Sequence, residues 1–559
     1  MPAYALALSL LVTAPLLAPG YLLLRDAVST PRSYLTDAAL GLSEAAPRAL
    51  PQDFFVALTS TVIDGGVVVK VLLVAALSLA GWGAARLVSL VVPPAGLAGQ
   101  FIAATLAIWN PYVAERLLQG HWSLLVGYGC LPWVAAAVVR MRTDGLTWRA
   151  AFGLAFWIAL AGLTPTGLMM AAAVALTCVA VPGDGWQRWR VAVCGLGLAV
   201  LAAVPWLVAA AVGGAVSSSP DPAAGVRAFA ARAEPGLATL GSLASLGGIW
   251  NSDAVPASRA GLFAVVAAAV LLGIVALGLP VVLRKPAAVP LLVLAAFAVL
   301  MPAGMATEPG LAVVESVTRA VPGLGVVRDG QKWVALAMPG YVLAAAAAPQ
   351  ALQRLRVPAG AAAAVCCAAL IAVLPDLAWG VGGKVTTVQY PSGWAAAADV
   401  INDDPRPVAV LPPDSMRLFY WAGAAPVLDP LPRWVRADVL TTGDLFIGGE
   451  IVPGEGARAR EVQDLLRTGA DQQTLADAGV GWLVVQTNGI PSNLPLPVAY
   501  RDGDITVHRI GGSAPAASGR PLMIAAHLVW LGVLAAGALG MAISALRGRR
   551  VRDAVTATQ

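Results

Sequence analysis

AGLFAVVAAAVLLGIVALGLPVVLRKPAAVPLLVLAAFAVL, residues 260–300, settles the solvent in which this chain folds. Two apolar runs, 260–283 and 286–304, flank one basic pair, Arg284-Lys285. Each is close to the ~20 residues that a helix needs to cross a bilayer. Neither offers the charged face of a helix at a water interface. Ten more such runs lie at about 3–24, 67–90, 94–109, 123–139, 150–164, 166–182, 191–213, 333–351, 357–378 and 521–546. Of the 559 residues 58% are apolar and 12% charged, against ~25% charged in soluble domains. Mean hydropathy is +0.76. This excludes a soluble globule, and it excludes intrinsic disorder, which needs low hydrophobicity and high charge. The expectation is a polytopic α-helical membrane protein with about twelve transmembrane helices.

Arg284-Lys285 is one of six basic connections. Alternate loops carry Arg86; Arg140, Arg142 and Arg149; Arg188 and Arg190; Arg284 and Lys285; Arg354 and Arg356; and Arg547, Arg549, Arg550 and Arg552, fourteen cations against three acids. Of the 36 basic and 31 acidic residues in the chain, the opposite side therefore holds 22 and 28. By the positive-inside rule both termini are expected in the cytoplasm, the long connections outside, and the protein in the cell (plasma) membrane. The first run lacks the basic n-region and small-x-small site of a cleaved signal peptide. Only Lys70, Lys285, Lys332 and Lys384 are lysines, a bias of GC-rich, actinobacteria-like genomes. No basic stripe with interleaved aromatics is present, so no nucleic-acid partner is expected. The five cysteines (Cys130, Cys178, Cys194, Cys366 and Cys367) lie in apolar runs without CxxC or Cys/His spacing and read as small packing residues.

The transmembrane part, 1–379, carries exoplasmic loops at 25–66, 110–122, 214–258 and 305–332. ALPQDFFVALTSTVI (49–63) in the first is amphipathic enough to lie along the bilayer surface. Residues 380–520 are soluble in composition and read as a small exoplasmic α/β domain inserted before the last helix, 521–546, and a basic tail, 547–559. VAVLPP (408–413) and GWLVVQT (481–487) read as buried strands, and GARAREVQDLLRTG (456–469) and DQQTLADAGV (471–480) as helices. PVAYRDGDITVHRI (497–510) alternates like a hairpin about Asp502-Gly503. No GxGxxG or P-loop opens these helices, so the domain reads as a structural or carbohydrate-contacting cap.

Ionisable groups at membrane boundaries are functional candidates because burying them there is costly. Asp26 follows the first run in YLLLRDAVSTPRS; the plain alternative is an interfacial pair with Arg25. In NPYVAERLLQGHW (110–122), Asn110-Pro111 can cap and start a helix. Glu115 and Gln119 would share one face of it while Arg116 points elsewhere. His121 has no partner histidine, so no metal site is expected there; beside Trp122 it could also be an ordinary surface residue. PGLGVVRDGQK, ending at 332, holds Arg328, Asp329, Gln331 and Lys332. Two cations on a Gly-bounded turn suit a lipid phosphate, the alternative being cations that snorkel at a helix end.

These stretches carry a resemblance. A first span followed by an exoplasmic Asp, a surface-lying helix, many spans and a late exoplasmic α/β domain resemble the GT-C superfamily of polyprenyl-phosphate-sugar-dependent membrane glycosyltransferases. NPYVAERLLQGHW, PGLGVVRDGQKW and LADAGVGWLVVQ are similar to segments of bacterial multispan GT-C-like envelope proteins. The resemblance implies an inverting glycosyltransferase, with a polyprenyl-phosphate lipid as donor and a cell-envelope glycan or glycolipid as acceptor. It implies Asp26 as the catalytic base and Glu115, His121 and Asp329 as substrate-positioning residues. Arg328 and Lys332 would hold the donor phosphate. The usual acidic pair of the first loop is missing, since Arg25 precedes Asp26; no cofactor is specified, and a divalent cation stays open. Two other classes fit the same spans: a transporter or flippase of lipid-linked glycans, and a non-catalytic envelope-assembly membrane protein.

Overall fold

The structure, a computed structural model, describes residues 1–557 apart from 45–48, 213–221, 322–323, 354–355, 414, 448, 488–493 and 516. The side chains of 548–559, and with them most of the expected basic tail, lie outside the described residues, as does the Ser-rich start of the 214–258 loop. The chain is mostly helical. It begins with α1 (Pro2–Thr13), α2 (Gly65–Val91), α3 (Gly96–Ile108), α4 (Pro111–Gln119), α5 (Trp122–Thr143), α6 (Trp148–Ala161), α7 (Pro165–Cys178) and α8 (Arg188–Val212). It continues with α9 (Phe263–Val282), α10 (Val289–Met305), α11 (Glu308–Ala320), α12 (Met338–Ala346) and α13 (Ala359–Ala372). Three helices, α14 (Ser392–Asp403), α15 (Ala457–Arg467) and α16 (Gln472–Asp477), belong to the α/β domain, and α17 (Arg520–Ala557) closes the chain.

Among the described residues six helical segments are long and apolar enough to cross a membrane: α2, α5, α8, α9, Gly330–Leu352 (which contains α12), and Arg520–Arg547 of α17. Two more candidates are bent, α10 into α11 by 92° and α13 into Pro375–Gly382 by 74°. Pro2–Leu17, α6 and α7 are apolar but shorter. Helices suit this solvent because they satisfy their backbone polar groups internally. Their starts are marked by caps: Asp64 accepts from the N–H groups of Gly66 and Val67 at 2.9 and 3.1 Å, and Thr164 accepts from Gly167 at 3.1 Å ahead of Pro165. Contacts between helices use small residues, which let backbones approach. A Cβ on Gly278 of α9 would fall on the Ala344 carbonyl of α12.

One expected span is shorter than the sequence suggests. The run 3–24 is helical only to Leu17, counting a final 3-10 turn, and Tyr21–Leu24 is a strand, β1. Pro15, Pro19 and Gly20 end the helix. Leu22, Leu23 and Leu24 are apolar because both faces of β1 are buried, not because they face lipid.

β1 joins the two halves of the protein. It pairs antiparallel with β2 (Ala27–Val28) and with β3 (Thr387–Val388), which opens the α/β domain. The domain's central sheet has the order β10-β11-β9-β4, from β4 (Val408–Leu411), β9 (Trp482–Gln486), β10 (Val498–Arg501) and β11 (Ile505–Arg509). β4 and β9 are parallel and the other pairs antiparallel. Alternate residues separate two cores, as a period of two requires. Val408, Val410, Trp482 and Val484 pack with Trp394, Ala397, Ala398 and Ile401 of α14. Ala409 and Leu483 pack with Val462 of α15 and Leu475 of α16. Two small hairpins complete the domain: β5 (Met416–Arg417) with β6 (Val427–Leu428), and β7 (Leu445–Ile447) with β8 (Glu450–Val452).

Gly278→Ala is expected to destabilise the detergent-solubilised protein by about 1–3 kcal/mol through overpacking. Gly273→Ala on the same helix, where a Cβ meets nothing within 4 Å, should leave the melting temperature at or above that of wild type. Equal melting temperatures for the two variants would refute the close crossing.

Candidate functional site

The site is built on α4. Asn110 caps it, accepting from Val113 N–H at 3.1 Å, Pro111 occupies its first turn, and Gly120 ends it at φ 83°. Every residue from Pro111 to Gln119 is buried, including Glu115 and Arg116, both 0% exposed. Buried charges must be paired, and the two neighbours reach different segments while sharing Gln331. Glu115 accepts from the backbone N–H groups of Gly248 and Ile249, each at 3.1 Å, and from Gln331 Nε2 at 2.9 Å. Arg116 grips Asp329 through both terminal nitrogens, Nη1 at 2.9 Å and Nη2 at 3.2 Å, and donates to Gln331 Oε1. Its Nη1 also faces His121 Nδ1 at 3.0 Å.

That contact fixes the histidine tautomer. Arg116 has only donors, so Nδ1 accepts, and the imidazole proton sits on Nε2, which donates to Asp26 Oδ2 at 2.9 Å. Gln119 Nε2 donates to the same oxygen at 3.1 Å, and Asn251 orients Gln119 through its Oε1 at 2.8 Å. Among the described residues Oδ1 of Asp26 has no hydrogen-bond partner, and the side chain is 42% exposed. Asp26 sits in the two-residue turn between β1 and β2, where Leu24 pairs with Ala27. Arg25, the other turn residue, has φ 48°, a conformation that L side chains adopt at a cost. It turns away from Asp26, donating to the carbonyls of Leu118 at 2.6 Å and Asp253 at 2.9 Å. The turn is also bound to the α/β domain: Arg25 N–H donates to Pro426 and Leu428 N–H to Arg25, at 3.1 and 2.8 Å.

The electrostatics follow. Desolvation works to raise the Asp26 carboxyl, but the bonds from His121 and Gln119 and the charge of Lys332 outweigh it and hold it below its ordinary value. Desolvation lowers His121, and Arg116 and Lys332 add to the effect, outweighing the raising influence of the Asp26 carboxylate. Desolvation also opposes ionisation of Asp329, yet Arg116 and Lys332 bring it down to about 2. Glu115 is pushed up by burial and by Glu234.

Asp26, His121, Arg328, Asp329 and Lys332 all line one cavity of about 1800 Å³. Glu115 is not among its lining residues; it lies behind, joined to Arg116 through Gln331. Lys332 Nζ is 3.7 Å from Asp329 Oδ2, and Arg328 lies 4.3 Å from the centre of the Phe229 ring. The cavity runs from the ends of the spans, at Leu124, Thr166 and Trp206, to the α/β domain, at Arg417, Asp429 and Phe446. Sequence reading left out the roles of Arg25, Arg116 and Asn251. An arginine inside an otherwise apolar helix face was the available signal for Arg116; nothing local marks Arg25 or Asn251, whose partners are distant. For a divalent cation the donor set does not fit: Asp329 is committed to Arg116, and no group of three His, Cys, Asp or Glu is placed to hold a metal among the described residues. No family model matches the chain, and no curated protein matches it.

A Cβ on Gly120 would fall on Leu24 O and Ala27 N of the β1–β2 turn. Gly120→Ala should cost about 1–2 kcal/mol in left-handed backbone alone and should push the turn off α4. Gly145→Ala, at φ 81° in open space, isolates the backbone cost. Modification of His121 by diethylpyrocarbonate, followed by mass spectrometry, should accelerate in the first variant only. Unchanged reactivity in Gly120→Ala would show that the turn does not rest on this glycine.

Proposed function

We propose that the protein is an inverting membrane glycosyltransferase of GT-C type, transferring a sugar from a polyprenyl-phosphate donor to a cell-envelope glycan or glycolipid at the exoplasmic face. The observation that carries the reading is the half-exposed Asp26 carboxylate, oriented by His121 and Gln119 in a cavity that Lys332 and Arg328 also line. On this reading the acceptor hydroxyl gives its proton to Asp26. Its oxygen bonds to the anomeric carbon as the bond from that carbon to the phosphate oxygen breaks. The electron pair leaves with the polyprenyl phosphate, whose charge Lys332 and Arg328 stabilise. His121 is a positioning residue, since both its nitrogens are engaged, and Asp329 holds Arg116 and Lys332 in place. Glu115 acts from behind the wall, setting Gln331. With the bent and short helices and α3 each crossing once, the chain makes twelve passages on this reading, with the basic loops and both termini in the cytoplasm.

Asp26→Asn should lower turnover of a radiolabelled polyprenyl-phosphate sugar by about two to four orders of magnitude. Donor binding should survive. Asp477→Asn, on an exposed helix, should match wild type. The acid limb of kcat/KM should fall below the ordinary carboxylate range, because Asp26 is held ionised. Wild-type turnover in Asp26→Asn would remove the base and favour a transport or assembly role.

Orientation has its own test. In intact cells an impermeant maleimide should label Gly503→Cys, on the exposed β10–β11 turn, and should spare Asp144→Cys, in the basic loop after α5. The reverse pattern would invert the topology.

A further inference from the structure

Helix α11 leaves α10 through a 92° bend, with only Ala306 and Thr307 between them. The bend is a built helix start. The Thr307 hydroxyl accepts from Gly310 N–H at 3.2 Å, Pro309 lies in the first turn, and a Cβ on Gly310 would fall on the Gly304 carbonyl. A helix at right angles to a segment that crosses the bilayer runs along the bilayer plane.

Its faces are sorted for that position. At 100° per residue Pro309, Val313, Ser316, Val317 and Ala320 share one side with Val321 just beyond, and all of them are exposed. Val313 and Val317 are 62% and 40% exposed. The only hydroxyl there, Ser316 Oγ, is satisfied within the helix by Ala312 O at 2.8 Å. Val314 and Thr318, on the opposite side, are buried. Glu308, Glu315 and Arg319 lie along one flank, the last two paired. The exposed apolar side also continues the lipid-facing surface of α10, whose Val293, Phe297 and Leu300 point outward up to the bend.

We propose that α11 is a membrane-surface helix, lying in the leaflet on the α/β-domain side with Val313, Val317 and Val321 among the acyl chains. The occupant of this face is lipid, since the face is charge-free and continuous with that of a crossing helix. Thr318 and Arg319 line the cavity, so α11 seats the cavity rim at the depth of the lipid headgroups. The short helix Pro222–Ala228 packs on α11 and against β8, which carries this height to the α/β domain. The inference does not depend on the chemistry at Asp26.

The test uses the full-length protein in nanodiscs with the native cysteines replaced and its elution profile checked. A fluorophore on Val317→Cys should be quenched by lipids carrying a doxyl group near the headgroup, at a depth of about 5–10 Å. The same label on Gly503→Cys should not be. Equal quenching at the two sites would overturn the proposal, as would disulfide formation between Val317→Cys copies in place of quenching, which would assign the face to a second copy. A spin label at Val317 gives an independent reading: faster relaxation by oxygen than by a water-soluble nickel complex supports the proposal, and the opposite refutes it.

Discussion

A guanidinium with no exposed surface sits at the centre of this protein. Taking Arg116 out of water would cost several kcal/mol if its charge were left unpaired, and removing one member of such a buried pair costs about 3–5 kcal/mol. The surroundings are arranged to meet that demand. Asp329 supplies the opposite charge in a two-point grip, Gln331 adds an acceptor, and His121 lends its ring nitrogen. Each partner is thereby fixed: the start of the Gly330–Leu352 segment is pinned to α4, and the imidazole is left with a single proton on the nitrogen that faces Asp26.

The carboxylate is held from two further directions. β1 contributes Leu22 and Leu24 to the core of the helical bundle and Leu23 to that of the α/β domain. Its turn is bonded to Pro426 and Leu428 on one side and to Gln119 on the other. The strain in Arg25 persists because these contacts overdetermine the turn. Precision at Asp26 thus comes from rigid neighbours, while one of its oxygens stays open to the cavity.

Much of the fold was legible because lipid imposes a simple code. Uninterrupted apolar length marked the long apolar helices and the buried strands β4 and β9, and the period of two marked the hairpin about Asp502-Gly503. The code failed where an apolar run served another purpose: Leu22–Leu24 read as membrane and is sheet, because hydrophobicity alone does not say which apolar surroundings a residue meets. Within the site, Asp26, His121, Asp329, Arg328 and Lys332 could be picked out as charges at span boundaries, and the fold gathers them around one cavity. Glu115 was singled out on the same grounds but lies outside the cavity lining. Nothing in a single sequence says that Arg25 will serve Leu118 and Asp253, 93 and 228 residues away, because such pairings follow from topology and carry no local pattern.

The pairing of β1 with a strand near residue 387 and of its turn with residues near 427 also sets a timetable for biogenesis. About 400 residues separate these partners, and at ribosomal rates of 5–20 residues per second they emerge roughly 20–80 s apart. For that interval the nascent chain holds its first strand without a partner on that edge, and the turn lacks half of its anchors. A ribosome that stalls within the helical bundle therefore releases a product with an unfinished site.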